Sequence, residues 1–75
     1  MSVYEIWDLD SGNLIAEFES EAEALTTVRE AITRSGRQYA VDLGLSTYDS
    51  EGHPKVIADG EALIERALRA AGSVA

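Results

Sequence analysis

Side chains that could carry out catalysis are sparse in this chain, and His53 is the first candidate. It is the only histidine, and histidine is the side chain that ordinarily changes charge near neutral pH. A hydrolase would need a nucleophile and an orienting carboxylate held beside it. Ser50, Asp49 and Glu51 are close in sequence, but the segment 49–54 has the composition of one polar loop. G-x-S-x-G and glycine-rich phosphate motifs are also missing from the sequence. We therefore predict a solvated loop histidine.

A calcium loop is the second candidate. Asp8, Asp10 and Glu19 occupy the first, third and twelfth positions of an EF-hand loop. Gly12 stands where the fifth-position ligand belongs, and Asn13 replaces the required glycine at the sixth position. Strands rather than helices are predicted on both sides. We expect an ordinary hairpin turn here, with no metal and no cofactor.

Paired carboxylates are a third source of possible chemistry, as in Glu19 with Glu21 and Glu61 with Glu65. General acid–base catalysis requires a carboxylate whose pKa is shifted, usually by burial. These pairs lie at predicted helix starts or on exposed helix faces, where capping accounts for them. We predict that the protein is not an enzyme.

The aromatic residues suggest binding instead. Tyr4 and Trp7 belong to opposite faces of the first predicted strand, so one of them should point away from the core together with Ile15. Tryptophan and tyrosine are favoured anchors of protein interfaces. We therefore assign Trp7, Ile15 and Tyr48 to a hypothetical partner interface. A tail, loop or bulge covering the same surface is an equally good explanation.

The elements that would position these residues begin with a hairpin and a helix. Residues 3–19 predict two strands around the turn Asp10–Asn13, with Leu14, Ala16 and Phe18 on one face of the second strand. Residues 21–35 predict a helix. Ser20 and Glu23 fit a capping box in which the Glu23 carboxylate reaches the Ser20 amide, and Gly36 suits the helix end.

The second half repeats this plan less clearly. We predict strands at about 40–48 and 55–58 and a helix at 61–71, although residues 38–40 could instead prolong a helical turn. Pro54 cannot donate a ladder hydrogen bond, which places it before the fourth strand or on an edge. The apolar face of the last helix is assigned to Ala62, Leu63, Ala67 and Leu68, with Ile64 at its margin.

The predicted order is ββαββα. Two helices packed on one face of a four-stranded, mainly antiparallel sheet would bury both apolar helix stripes, which is an α+β fold. Strand order is not predicted. The length of 75 residues leaves room for one domain, residues 1–75, and a chain of this size gains stability by self-association.

Charge and composition narrow the partners. The net charge is −8, from 14 acidic and 6 basic residues, so nucleic acid would be repelled at long range. There is no cysteine, which excludes disulfides and thiolate metal sites. We see no apolar run long enough to span a bilayer and no secretion signal after Met1, so we expect no membrane partner and a cytoplasmic location.

Two resemblances accompany these patterns. The run YEIWDLDSGN…FESEAEAL resembles a family of small bacterial proteins of unassigned function, which implies no activity and no site residues. The segment Phe18–Ala24 is similar to arm-type DNA-binding domains of integrases and plant transcription factors. Those domains read DNA with a basic, aromatic sheet, whereas the corresponding strands here carry Glu5, Asp8, Glu17 and Glu19.

We therefore predict a small non-catalytic protein-interaction or self-associating module. Its partner would be a second copy of the chain, as a homo-oligomer, or a basic protein. The alternative is a DNA-binding accessory domain or an antitoxin-like regulatory domain.

Overall fold

The fold is a four-stranded antiparallel sheet with helices packed on one side. A computed structural model describes the backbone of residues 3–72 and the side chains of residues 3–70. Neighbouring strands are antiparallel throughout, in the order β2-β1-β3-β4. The predicted α+β class is confirmed. The elements are β1 (Tyr4–Asp8), β2 (Asn13–Phe18), α1 (Glu21–Ser35), α2 (Arg37–Ala40), β3 (Leu43–Tyr48), β4 (Pro54–Asp59) and α3 (Gly60–Gly72).

The turn between β1 and β2 is closed by local hydrogen bonds. The Asp8 carboxylate accepts from the Asp10 amide at 3.0 Å, and the Gly12 amide donates to the Asp8 carbonyl oxygen at 2.7 Å. Aspartate and glycine are favoured in turns because a short carboxylate can accept from nearby backbone amides and glycine tolerates a positive φ. The hairpin sets the two strands side by side and starts the sheet.

Helix α1 has the predicted bounds because both of its ends are fixed locally. The Ser20 hydroxyl accepts from the Glu23 amide at 3.2 Å and donates to the Glu23 carboxylate at 3.3 Å. That second bond differs from the predicted one to the Ser20 amide. Gly36 ends the helix at φ +90°, and its amide donates to the Ile32 carbonyl oxygen at 2.7 Å. A positive φ is accessible to glycine at little cost.

The third strand begins later than predicted. Residues 37–40 form the short helix α2, and β3 starts at Leu43. The strand start at about 40 is therefore wrong, and the helical alternative for residues 38–40 is confirmed. Contacts with distant parts of the chain explain the helix at this position. A helical turn brings Ala40 into the core with no exposed surface, and Arg37 on the same turn pairs with Glu61 of α3 at 2.5 Å.

The last strand and helix are each longer than predicted. β4 starts at Pro54 and runs to Asp59, at an edge of the sheet, where a missing amide does not interrupt a ladder. The predicted apolar face of α3 is confirmed at Leu63 and Ala67, which are buried, and is wrong at Ala62 and Leu68, which are exposed. Ile64 is fully buried while Leu68 is 41% exposed, so the helix is rotated towards the side of Ile64.

The core fills the space between the sheet and the helices, with side chains from both layers. The molecule is flat, with extents of 34 × 31 × 17 Å, as expected for one helical layer on one sheet. Within residues 3–72, no helix packs on the other side of the sheet. Buried core residues are Ile6, Ala24, Leu25, Val28, Ala40, Leu43, Leu45, Leu63, Ile64 and Ala67, with Tyr4, Phe18, Ile32, Ile57, Ala58 and Ala70 packed against them.

Candidate partner-binding face

Alternation along β1 sorts its side chains between the core and the opposite side of the sheet. Ile6 is 2% exposed and Tyr4 packs against the core. Glu5 and Trp7 therefore project from the other side, because successive strand residues point to opposite faces. We call that side the open face. Of the two aromatic residues of β1, Trp7 lies on the open face and Tyr4 on the core side.

A β-bulge adds two apolar side chains from β2. Ile6 pairs with Ala16, but Trp7 pairs with Leu14, so Ile15 is the extra residue. Two residues of a bulged strand then oppose one on its partner, and both Leu14 and Ile15 lie on the open face with Trp7. The prediction that Leu14 shares a face with Ala16 is wrong, because the bulge interrupts the alternation.

The same pairing logic places residues of β3 and β4. Glu5 is opposite Ser46, and Ser46 is opposite Val56. Tyr48 lies two residues beyond Ser46 on the same face. Trp7, Ile15 and Tyr48, the three predicted interface residues, are thus on one surface. Eight large apolar side chains are exposed in the described part of the chain. Five of them belong to this face: Leu9 (52%), Leu14 (42%), Ile15 (46%), Tyr48 (43%) and Val56 (66%).

Leu9 joins the face by covering a glycine. Gly44 is opposite Trp7, and a Cβ at Gly44 would stand 3.0 to 3.2 Å from three side-chain atoms of Leu9. Because glycine has no side chain, the Leu9 side chain packs directly against the backbone of the sheet at Gly44. Between Leu9, Trp7 and Val56 is a small cavity of about 50 Å³. The face therefore contains a shallow apolar depression.

A buried carboxylate lies beneath this apolar surface. Glu5 is 7% exposed. Its Oε1 accepts from Trp7 Nε1 at 3.1 Å and from the Tyr48 hydroxyl at 3.2 Å, while Oε2 is 3.4 Å from the same hydroxyl. Buried charges in proteins are ordinarily paired with an opposite charge. Among the described residues, Glu5 has aromatic hydrogen-bond donors and no cation.

The electrostatic effect of Glu5 is seen at Tyr48. The negative charge of Glu5 raises the pKa of the Tyr48 phenol above its usual value of 10.0, with further contributions from their hydrogen bond, from burial and from Glu17. The neutral phenol is held as a donor. Glu17 also lies directly opposite Glu5 on the neighbouring strand, so two carboxylates face each other.

Charge is divided between the two layers of the molecule. The acids Glu5, Glu17 and Asp59 belong to open-face positions, since Asp59 is opposite Gly44 and lines the cavity. Lys55 is opposite Thr47, on the helix side of the sheet. Within the described residues, the open face therefore carries acids and no base. The five arginines are all on helices: Arg29 and Arg34 on α1, Arg37 on α2, Arg66 and Arg69 on α3.

The other sequence candidates have structural explanations. Asp8 and Asp10 hold the hairpin turn. Asp49 accepts from the amides of Glu51 and His53 at 2.8 and 2.9 Å. Hydrogen bonds from His53 and other backbone amides lower the pKa of Asp49 despite some desolvation. His53 Nδ1 is 3.5 Å from the Asp49 carboxylate and largely exposed. Across the described residues, no cluster of three potential ligands could hold a metal.

Sequence reasoning missed part of this face. Glu5 is absent from the predicted interface, and no sequence signal marks it as buried, since glutamate is rarely buried. Leu9, Leu14 and Val56 were not assigned to an interface. For Leu9, the glycine at position 44 is the only available hint, and it requires knowing the strand pairing.

Comparison with known proteins adds no further information. No protein-family model, no curated protein and no solved structure matches the chain. Within residues 3–72, none of the helices has the length and apolar character needed to cross a membrane.

Proposed function

We propose that this chain is a non-catalytic protein-interaction module whose open face binds a basic amphipathic helix of another protein. The observation that carries the proposal is an apolar surface with acids and no base around it, described above. Contiguous exposed apolar surface with a polar rim is typical of interaction sites.

The size of the face favours a helix over a whole folded domain. Four strands at about 4.8 Å spacing give a width of about 19 Å, and strands of five or six residues give a length of about 18 Å. That flat footprint is about 350 Å², small beside the roughly 800 Å² of accessible surface that each partner buries in a standard interface. A helix is about 10 Å wide and about 12 residues long over 18 Å. Laid along the strands, such a helix matches the length of the face and covers about half of its width.

Charge favours a basic partner over a second copy of the chain. Stacking two open faces would bring Glu17 and Asp59 of each copy against an equally acidic surface. Like charges brought together oppose association, whereas basic residues flanking an apolar helix stripe complement them. The net charge of −8 extends this attraction to long range.

Trp7 provides the assay, since it is the only tryptophan and lies on the open face. The probe is a synthetic amphipathic peptide of about 18 residues, with a leucine stripe at helical spacing flanked by arginines. We expect saturable binding, read as a blue shift of the Trp7 fluorescence because the indole loses contact with water. The matched peptide with glutamates in place of the arginines should not bind.

Substitutions locate the site. Ile15→Ser and Val56→Ser should each weaken binding about tenfold, the value of burying most of one large apolar side chain. Val41→Ser and Leu68→Ser are matched controls, because these side chains are similarly exposed (39% and 41%) but belong to other surfaces. Equal loss in all four variants would show nonspecific adsorption and overturn the proposal.

Light scattering on the protein alone tests whether a second copy of the chain, instead of a basic helix, covers the open face. We expect a monomer at micromolar concentration. A stable dimer that Ile15→Ser dissociates would show that a second copy covers the open face, and the basic-helix proposal would then be wrong.

A further inference from the structure

We propose that Glu5, Trp7 and Tyr48 form a subsite for one arginine side chain of the bound helix. The inference rests on the proposed function and specifies its central contact. The observation behind it is a carboxylate that is more than nine-tenths buried on the binding face and has no cation near it among the described residues.

The hydrogen bonds of Glu5 leave room for a cation. An ionised carboxylate can accept about four hydrogen bonds. The structure gives it two donor groups, Trp7 Nε1 and the Tyr48 hydroxyl, with the shorter contacts both at Oε1. Oε2 has only the 3.4 Å contact. Oε2 therefore has the greater remaining capacity to accept a hydrogen bond from an incoming donor.

The two aromatic rings favour guanidinium over ammonium. Trp7 and Tyr48 both donate to Oε1 of the carboxylate, and these bonds hold the two rings next to it. A planar guanidinium stacks on such rings while donating to a carboxylate, and it is less strongly hydrated than an ammonium group. Lysine would supply the charge but not the planar contact. The subsite therefore selects arginine at one position of the partner.

Glu17 would act differently. It is exposed and opposite Glu5, so it attracts basic partners without enclosing a side chain. This difference supplies a control, because Glu17→Gln and Glu5→Gln remove the same charge from neighbouring positions on the same face.

The experiment is a double-mutant cycle with the leucine–arginine peptide. Each arginine in turn is replaced by citrulline, a neutral group of nearly the same shape, and each peptide is titrated against the wild-type, Glu5→Gln and Glu17→Gln proteins. The arginine whose replacement weakens binding to the wild-type protein most is taken as the one in the subsite. We expect citrulline to weaken binding about tenfold to wild-type protein and to the Glu17→Gln variant. In the Glu5→Gln variant, the citrulline and arginine peptides should bind alike. A peptide with lysine at the same position should bind the wild-type protein more weakly than the arginine peptide and more tightly than the citrulline peptide.

The possible outcomes separate the two proposals. If no arginine peptide binds, the proposed function fails. If peptides bind but citrulline costs the same in Glu5→Gln as in wild type, at every arginine position of the peptide, the subsite is refuted and the open-face proposal stands. The subsite is also refuted if Glu5→Gln and Glu17→Gln change the cost of the citrulline replacement equally. Long-range attraction between the acidic face and the basic peptide would then explain both variants. Circular dichroism and melting curves establish that each variant is folded.

Discussion

Glu17→Gln should stabilise the folded protein. The Glu17 side chain has no hydrogen bond or ion pair among the described residues, and it lies directly opposite Glu5 on the neighbouring strand. Like charges at directly opposite positions of an antiparallel pair are destabilising. The substitution removes that repulsion and keeps nearly the same side-chain shape.

The magnitude follows from the register. Opposed side chains have Cβ atoms about 5 Å apart, so we take about 6 Å between the charges. Coulomb's law then gives about 0.7 kcal/mol in water and about 2.8 kcal/mol at an effective dielectric constant of 20. Glu17 is exposed and Glu5 is buried, and salt at 0.15 M halves the interaction roughly. We expect a gain of about 0.5–1 kcal/mol in the free energy of unfolding, or about 2–8 °C in Tm.

Urea and thermal unfolding measure the effect. Glu51→Gln is the control, because it makes the same change in net charge from an exposed loop position. The gain should appear for Glu17→Gln alone and should disappear in about 1 M NaCl, where the Debye length is about 3 Å. A gain that persists in high salt, or one that Glu51→Gln reproduces, would refute the reasoning.

Three further predictions concern Tyr48, the core and the helix cap. The raised pKa of Tyr48 means that its contribution to stability is complete below pH 10 and lost as the pH rises through the folded-state pKa. Glu5→Gln should return that pKa towards 10.0, as followed by phenolate absorbance. Leu45→Ala should cost about 2–5 kcal/mol in urea unfolding, because Leu45 is completely buried on a central strand. Ile15→Ala should cost much less, because Ile15 is exposed; an equal loss in the free energy of unfolding would contradict the placement of Leu45 in the core and Ile15 on the open face. Ser20→Ala should cost about 1 kcal/mol by removing the acceptor of the Glu23 amide, and an unchanged Tm would disprove a stabilising cap.

Local signals explain which parts of the fold are predictable from sequence. The bounds of α1 follow from Ser20 and Gly36, which act on their own helix ends. The strand start at about residue 40 is mispredicted because Ala40 is placed by packing in the core, whereas the helical alternative for residues 38–40 is confirmed. The strand order β2-β1-β3-β4 depends on pairings between β1 and β3 that no neighbouring residues encode.

The candidate site is predictable only in part, for a similar reason. Trp7, Ile15 and Tyr48 can be placed by residue type and alternation. Leu14 cannot, because the bulge reverses its side. Glu5 is recognised only once Trp7 and Tyr48 are seen to donate to it. The relation to small bacterial proteins of unassigned function, the cytoplasmic location and the absence of catalysis remain predictions.

The alternation along β1 has a consequence for how this protein can change over evolutionary time. Glu5 and Trp7 belong to the open face, and Ile6 between them belongs to the core. A one-residue slip of β1 against β3 would move Ile6 into solvent and push Glu5 towards the helices. An insertion or deletion in this strand would thus disrupt the core and rearrange the open face together. Insertions should therefore be tolerated better in β2 and β4, the two outer strands, whose bulges already accommodate an extra residue.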